Sequence, residues 1–197
     1  MLGLLFLKQT NRMFLMKKKI ISIINLALLL TACSSPQEKN PPQLVTVKQV
    51  DLKKYIGLWY EIAKIPNSFQ DHCAYGTTAE YKIDDDGDII VTNSCYDDEG
   101  KIDVAEGLAK VVDKNTNAKL EVSFFSILGI RPFWGDYWII GLDENYEWAV
   151  VGTPNRKYGW ILSRTPSLPD STMENIFKLL KSQYYNPEDF ELSSQNK

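Results

Sequence analysis

From residue 51 onwards, short stretches rich in β-branched and aromatic residues are separated by clusters of Gly, Asn and Asp. Such stretches are typical of strands, and the clusters between them are typical of turns. The pattern predicts eight strands, at residues 59–65, 77–83, 89–96, 102–112, 119–125, 137–142, 147–152 and 159–164. Acidic turns that contain a glycine, such as the one at residues 84–88, indicate hairpins between neighbouring strands.

After the last predicted strand the hydrophobic period changes to that of one amphipathic helix. The apolar positions that share a helical face are Met173, Ile176, Phe177, Leu180 and Tyr184. Asp170 or Ser171 can cap this helix, with Glu174 completing a capping box. Eight short strands and one C-terminal helix favour an all-β fold, an eight-stranded antiparallel up-and-down barrel, although the pattern alone leaves a sandwich open.

The first 32 residues have the pattern of a secretory signal peptide. Lysines at positions 17–19 precede an apolar run at residues 20–30, which is short for a membrane span. Met16 stands directly before the lysines and is a possible true start. A retained transmembrane helix is the alternative interpretation.

A cysteine ends this segment at a particular position. The sequence Leu30-Thr31-Ala32-Cys33 resembles the bacterial lipobox. The resemblance implies that the peptide is cut before Cys33 and that Cys33 carries the lipid. Since Ser34 rather than an aspartate follows, it also implies anchoring in the cell outer membrane. An ordinary signal peptide with an unrelated cysteine is the alternative.

The domain boundaries follow from these segments. Residues 33–50 contain several prolines among polar residues, which predicts a lipidated flexible tether. We expect the folded domain to cover residues 51–190 and residues 191–197 to form a tail.

The charge of the chain argues against nucleic acid as a partner. The net charge is -3, but five of the 22 basic residues lie in the first 32 residues, where there are no acidic ones. Residues 33–197 therefore carry 17 basic residues against 25 acidic ones. Affinity for nucleic acid depends on basic contacts to phosphate, which such an acidic body does not favour.

Three short motifs resemble those of the lipocalin family. Gly57 and Trp59 match its G-x-W signature at the first strand, Asp143 and Tyr146 match its second motif, and Arg164 matches its third. The pattern is similar to the bacterial outer-membrane lipoprotein branch, which also resembles apolipoprotein D. We expect these residues to be structural, with Trp59 filling the closed end and the Arg164 guanidinium over its ring.

The resemblance implies a cavity for a fatty acid such as palmitate, a lysophospholipid or a similar lipid, which the protein holds or transfers in the envelope. Glu61 and Ala63 share the parity of Trp59, and the phenol of Tyr137 suits a polar head group. The predicted ligand contacts are Tyr137, Trp160, Ala63, Phe124, Phe133, Ile139 and Leu162. Phe69 is a candidate for a lid, and we expect a monomer or weak dimer.

The remaining cysteines, Cys73 and Cys95, are an even pair in an oxidising compartment, which predicts a disulfide. The alternative is a lipid-modifying enzyme with Cys73 as nucleophile. His72 is the only histidine, and its side chain points away from that of its neighbour Cys73 in an extended chain. We therefore predict no catalysis, no metal and no cofactor. A structural envelope lipoprotein with a self-filled barrel is a third interpretation.

Overall fold

The computed structural model describes residues 41–197, and residues 42–197 form one compact unit. The predicted signal peptide and the predicted lipid attachment at Cys33 lie outside the described residues. Within the described residues, no helix combines the length and the apolar character needed to cross a membrane.

Eight antiparallel strands form a closed barrel. They are β1 (Gly57–Lys64), β2 (Tyr75–Ile83), β3 (Ile89–Tyr96), β4 (Ile102–Val111), β5 (Lys119–Ser123), β6 (Gly135–Leu142), β7 (Trp148–Gly152) and β8 (Gly159–Ser163). Each strand pairs with the next along the chain, and β1 pairs with both β2 and β8, so the sheet closes on itself. The predicted up-and-down barrel is confirmed, and every predicted strand overlaps an observed one.

Two apolar cores result because side chains alternate between the faces of each strand. Inward side chains form a core inside the barrel that includes Trp59, Ile139 and Val151. Outward side chains pack against a helix, where Ile176 and Leu180 are fully buried. This second core fixes the helix on the outer wall of the barrel.

The helices differ in detail from the prediction. A short α1 (Leu52–Tyr55) precedes the barrel, and the predicted C-terminal helix is α2 (Asp170–Ser182), followed by a 3₁₀ turn (Pro187–Asp189). Pro169 is the N-cap of α2, with no side-chain cap. Ser171 therefore lies within the first turn, and the predicted capping box does not form.

The folded domain begins before residue 51. Leu44 and Val50 are buried, and the backbone N–H of Val47 donates to the Ile139 carbonyl at 2.9 Å. This part of the predicted tether therefore packs against the barrel, with Leu44 in the core beside the helix and Val50 in the core inside the barrel.

The predicted tail also belongs to the fold. β1 and β2 pair near one end of the barrel only, as far as Tyr60 and Thr78. Beyond that point a short β9 (Glu191–Leu192) pairs with β1, and the Gln195 side-chain amide donates to one carbonyl of each strand, at 2.6 and 3.1 Å. Residues 191–195, here called the C-terminal strap, close the seam between the two strands.

Candidate functional site

The barrel encloses a cavity of about 590 Å³. The loops after β1, β5 and β7 contribute residues to its lining, so its mouth lies at their end of the barrel, here called the open end. Apolar side chains form much of the wall, among them Ala79, Val91, Val122 and Leu162. Cavities of this size and lining accommodate one small amphiphilic ligand.

Trp59 fills the opposite, closed end of the barrel and is fully buried. The Arg164 guanidinium lies 3.7 Å from the centroid of its ring, the stacking expected from the sequence. The same guanidinium donates to the carbonyl oxygens of Lys54, Tyr55, Ile56 and Leu58. Neither Trp59 nor Arg164 lines the cavity, so their role is to close this end of the barrel.

The other motif residues also shape the closed end. Gly57 has φ +99°, a conformation that residues with a Cβ rarely adopt, and the Arg164 guanidinium lies against it. The Asp143 carboxylate accepts the N–H of Asn145 at 2.8 Å in the turn between β6 and β7. The Tyr146 hydroxyl accepts the N–H of Asp51 at 2.8 Å, which ties this turn to the start of α1.

Three buried tyrosines form a hydrogen-bonded cluster at the floor of the cavity, and two of them, Tyr81 and Tyr137, line it. The Tyr137 hydroxyl lies 2.8 Å from that of Tyr55 and accepts a hydrogen bond from that of Tyr81 at 2.9 Å. Three O–H groups make two hydrogen bonds among themselves, so one O–H, that of Tyr55 or Tyr137, is not used within the cluster. Burial raises the pKa of Tyr81 to about 12 and raises the pKa values of Tyr55 and Tyr137 well above the usual value. The floor is therefore polar but uncharged at neutral pH.

A buried carboxylate, that of Glu61, stands in the cavity wall. It pairs with the Lys64 ammonium at 3.1 Å and accepts hydrogen bonds from the Gln70 amide at 2.8 Å and the Ser193 hydroxyl at 2.6 Å. The ion pair and these hydrogen bonds offset the desolvation of the charge. The wall thus contains a paired carboxylate rather than a free anion.

Strand β1 changes parity directly after Glu61. The register of the β1–β8 pair shifts between Glu61 and Ala63, as at a β-bulge. Ala63 is fully buried in the core between barrel and helix, together with Ile62. The expectation that Ala63 faces the cavity is therefore wrong, because strict alternation from Trp59 does not continue through the bulge.

Aromatic rings cluster at the mouth of the cavity. The ring centroid of Phe69 lies 5.4 Å from that of Tyr158 and 6.4 Å from that of Trp160. The Trp160 indole N–H donates to the Gln70 side chain at 3.0 Å, which connects β8 to the loop after β1. All four side chains line the cavity, and the role of Phe69 as a lid stays a prediction.

Four of the seven predicted contact residues line the cavity: Tyr137, Trp160, Phe124 and Leu162. Contact between these residues and a ligand stays a prediction. Ile139 does not line it, because it is fully buried in the packed core inside the barrel. Phe133 is 69% exposed and points to solvent rather than into the cavity.

Some lining residues were not among the predicted contacts. The parity of Trp59 places Glu61 inward, but a charged side chain is not an obvious choice for an apolar cavity. Gln70 lies in a loop whose path no hydrophobic period reveals, and Thr153 follows the end of β7. Of these three residues, only Glu61 could have been placed at the cavity from the sequence.

A disulfide joins Cys73 to Cys95, with their Cα atoms 5.6 Å apart, and confirms the predicted pair. It attaches the loop after β1 to strand β3. Beside it, His72 Nε2 lies 2.9 Å from the Asp103 carboxylate. A disulfide sulfur carries no thiolate, so Cys73 in this state has neither the nucleophile nor the metal ligand that a free cysteine offers.

Comparison with known proteins gives consistent relatives. Residues 50–195 match the family described as Lipocalin-like domain. The chain is 38% identical over 173 residues to the outer membrane lipoprotein Blc of Escherichia coli K12, covering 87% of this chain and 93% of that protein. It is 38% identical to apolipoprotein D of Rattus norvegicus, covering 67% and 70%. The structure of insecticyanin from Manduca sexta matches with a TM-score of 0.65 at 25% identity, covering 80% and 87%.

Proposed function

Because this chain belongs to the lipocalin family, we propose that it is an outer-membrane lipoprotein that holds or transfers a single-chain lipid in its barrel. The proposed ligand class is a fatty acid or lysophospholipid. Its close relatives are named outer membrane lipoproteins, and this chain shares that localisation. Lipid attachment at Cys33 is the proposed means of anchoring.

The observation that carries the proposal is the distribution of polar groups around the cavity. Much of its wall is apolar, with Val91, Val122 and Leu162, and the Glu61 carboxylate in that wall is already paired with the Lys64 ammonium. Hydrogen-bonding groups stand at its two ends, the tyrosine hydroxyls at the floor and Gln70 at the mouth. An alkyl chain fits against the apolar part of the wall, and a head group at the mouth remains in reach of water.

The proposal is tested with the full-length protein by titrating palmitate and a lysophospholipid that carry brominated chains, with tryptophan fluorescence as the readout. Trp160 lines the cavity, so a bound brominated chain should quench it saturably. Absence of saturable quenching by both lipids would contradict the proposal.

A matched pair of alanine substitutions locates the binding. Ala79 lines the cavity, whereas Ala74 is exposed in the loop before β2 and does not line it. Ala79→Phe should fill the space for the chain and weaken binding by about tenfold or more, which corresponds to ~1.4 kcal/mol. Ala74→Phe should leave affinity unchanged. Equal affinities of the two variants would place the ligand outside the barrel.

A further inference from the structure

The loop between β5 and β6, residues 124–134, exposes an unusual amount of apolar surface. Leu128 is 98% exposed, and Ile130 and Phe133 are each 69% exposed. The exposed apolar residues of this loop are Phe124, Phe125, Ile127, Leu128, Ile130 and Phe133. Single exposed apolar residues are common, but a group of six in one loop indicates an interaction surface.

The tip of this loop is a tight turn in which a leucine is unfavourable. Ile127 and Ile130 exchange two backbone hydrogen bonds of 2.9 Å, and the residues between them, Leu128 and Gly129, have φ +50° and +80°. Turns with two positive φ values favour Asn, Asp and Gly. Leu128 is both strained and exposed to water, so neither local conformation nor burial within the described chain accounts for it.

The loop stands at the mouth of the cavity. Its first and last residues, Phe124 and Trp134, line the cavity, and the rings of Phe125 and Phe133 lie 5.9 Å apart above them along the loop. Whatever contacts the loop therefore also lies beside the entrance for the ligand.

The N-terminal segment arrives at the same end of the barrel. The Arg156 guanidinium, in the loop after β7, donates to the Pro42 carbonyl. Loops after β5 and β7 both belong to the open end. Cys33 precedes Pro42 by nine residues, which can span about 30 Å at most. A lipid on Cys33 would hold the open end close to the membrane.

The loop contains no acidic residue that a membrane with anionic lipids would repel. Arg131 is its one charged residue, and its guanidinium donates to the Ser123 carbonyl at 2.8 Å. Trp134 closes the loop, and Trp, Phe and Arg are residues that the membrane interface accommodates well.

We propose that residues 125–133 insert into the lipid bilayer that holds the anchor, so that the mouth of the cavity opens onto the membrane rather than onto water. A bilayer fits better than a second copy of the chain, because a two-residue tip offers no flat face for a protein partner but enters a fluid interface readily. The purpose of this contact, passage of a lipid between bilayer and cavity, rests on the proposed function.

The test places a nitroxide spin label on the full-length, lipidated protein in vesicles of phosphatidylethanolamine and phosphatidylglycerol. The label is attached at Leu128→Cys or, as the control, at Val112→Cys. Val112 is exposed too, but lies at the closed end after β4. The label at position 128 should be accessible to oxygen and shielded from a water-soluble nickel chelate, and the label at position 112 should show the reverse.

Two results would overturn the proposal. One is nickel accessibility at position 128 equal to that at position 112. The other is spin–spin broadening at position 128 that grows with the protein-to-lipid ratio, which would identify a second copy as the occupant.

A second variant separates bilayer contact from ligand binding. Leu128→Asn, Ile130→Ser and Phe133→Ser together remove the apolar tip, and asparagine relieves the turn, so the fold should be kept. Ligand transfer to acceptor vesicles should slow by about tenfold or more, with affinity unchanged in the absence of vesicles. The control variant Ile83→Ser/Val112→Ser, at the closed end, should transfer normally. If the parent protein does not bind the lipid, the proposed function is refuted. If the parent binds it and the tip variant transfers it at the same rate, the bilayer contact is refuted.

Discussion

At the scale of single residues, the Tyr137 hydroxyl holds the cavity floor together, since it bonds both Tyr55 and Tyr81. We expect Tyr137→Phe to lower the free energy of unfolding by about 2 kcal/mol, because two buried hydroxyls lose their partner. Tyr81→Phe should have a smaller effect, since the bond between Tyr137 and Tyr55 remains. Urea unfolding of both variants measures the difference, and equal losses would argue against a cooperative floor.

The sequence predicted individual residues well where alternation is regular. Leu162 lies on a strand with regular alternation, and Tyr137 precedes the register shift of β6, which comes after Ile139. Ala63 follows the bulge in β1, which depends on pairing with β8 and leaves no mark in the local sequence. Gln70 reaches the cavity through a loop, whose conformation is set by contacts far along the chain.

At the scale of elements, the disulfide fixes the loop after β1 to the barrel wall. Cys73 and Cys95 are 22 residues apart. A crosslink that closes a loop of this length lowers the entropy of the unfolded chain, which raises its free energy by about 3 kcal/mol. We expect Cys73→Ser/Cys95→Ser to lose stability by about that amount, measured by urea unfolding. Addition of a reductant should bring the parent protein to the same midpoint but leave the variant unchanged. A midpoint unaffected by reduction would show that the crosslink contributes nothing.

The C-terminal strap offers a second prediction for an element. Gln195 donates to the carbonyls of Glu61 and Thr77, one on each side of the seam. Gln195→Ala should accelerate hydrogen exchange at the open-end halves of β1 and β2, because both carbonyls lose this partner.

Ser194 provides the control for that experiment. Its hydroxyl donates to the carbonyl of Asn196, directly after the strap, and not to β1 or β2, so Ser194→Ala should leave exchange in those strands unchanged. The same acceleration in both variants would mean that the side-chain amide of Gln195 is not what closes the seam.

Elements were predictable in proportion to their length. The barrel strands of five to ten residues show their period in the sequence, whereas the two residues of β9 are too few to show any. The packing of Leu44 and Val50 was missed for a related reason, since prolines and polar residues around them are typical of a tether.

At the scale of the whole molecule, the buried tyrosines should make the folded state less stable at alkaline pH. Burial raises the pKa of Tyr81 to about 12, and also raises those of Tyr55 and Tyr137, relative to about 10 in an unfolded chain. The raised pKa stabilises the folded, neutral form. This contribution is therefore complete below about pH 10 and is lost as pH rises through the folded-state values.

Urea unfolding between pH 8 and pH 12 checks this dependence. The free energy of unfolding should be level up to about pH 10 and then fall. A variant with phenylalanine at all three positions should show a weaker fall. An identical decline in that variant would assign the alkaline sensitivity to other groups.

For the whole molecule, the order of the strands and the closed end of the barrel could be predicted from the sequence, but the path of the N-terminal segment could not. Eight strands in sequence order leave few ways to form a sheet, and Trp59 with Arg164 identifies the closed end. The side on which the N-terminal segment arrives depends on Arg156 holding the Pro42 carbonyl, a contact between residues 114 positions apart.

The C-terminal strap has a consequence for the timing of folding. Its residues follow all eight barrel strands along the chain, so they leave the ribosome after every strand that they hold together. The seam between β1 and β2 stays open at one end until the strap is made. An exported protein has to cross a translocation channel before it folds completely. Because the last strand closes this barrel, complete folding waits until that strand is available.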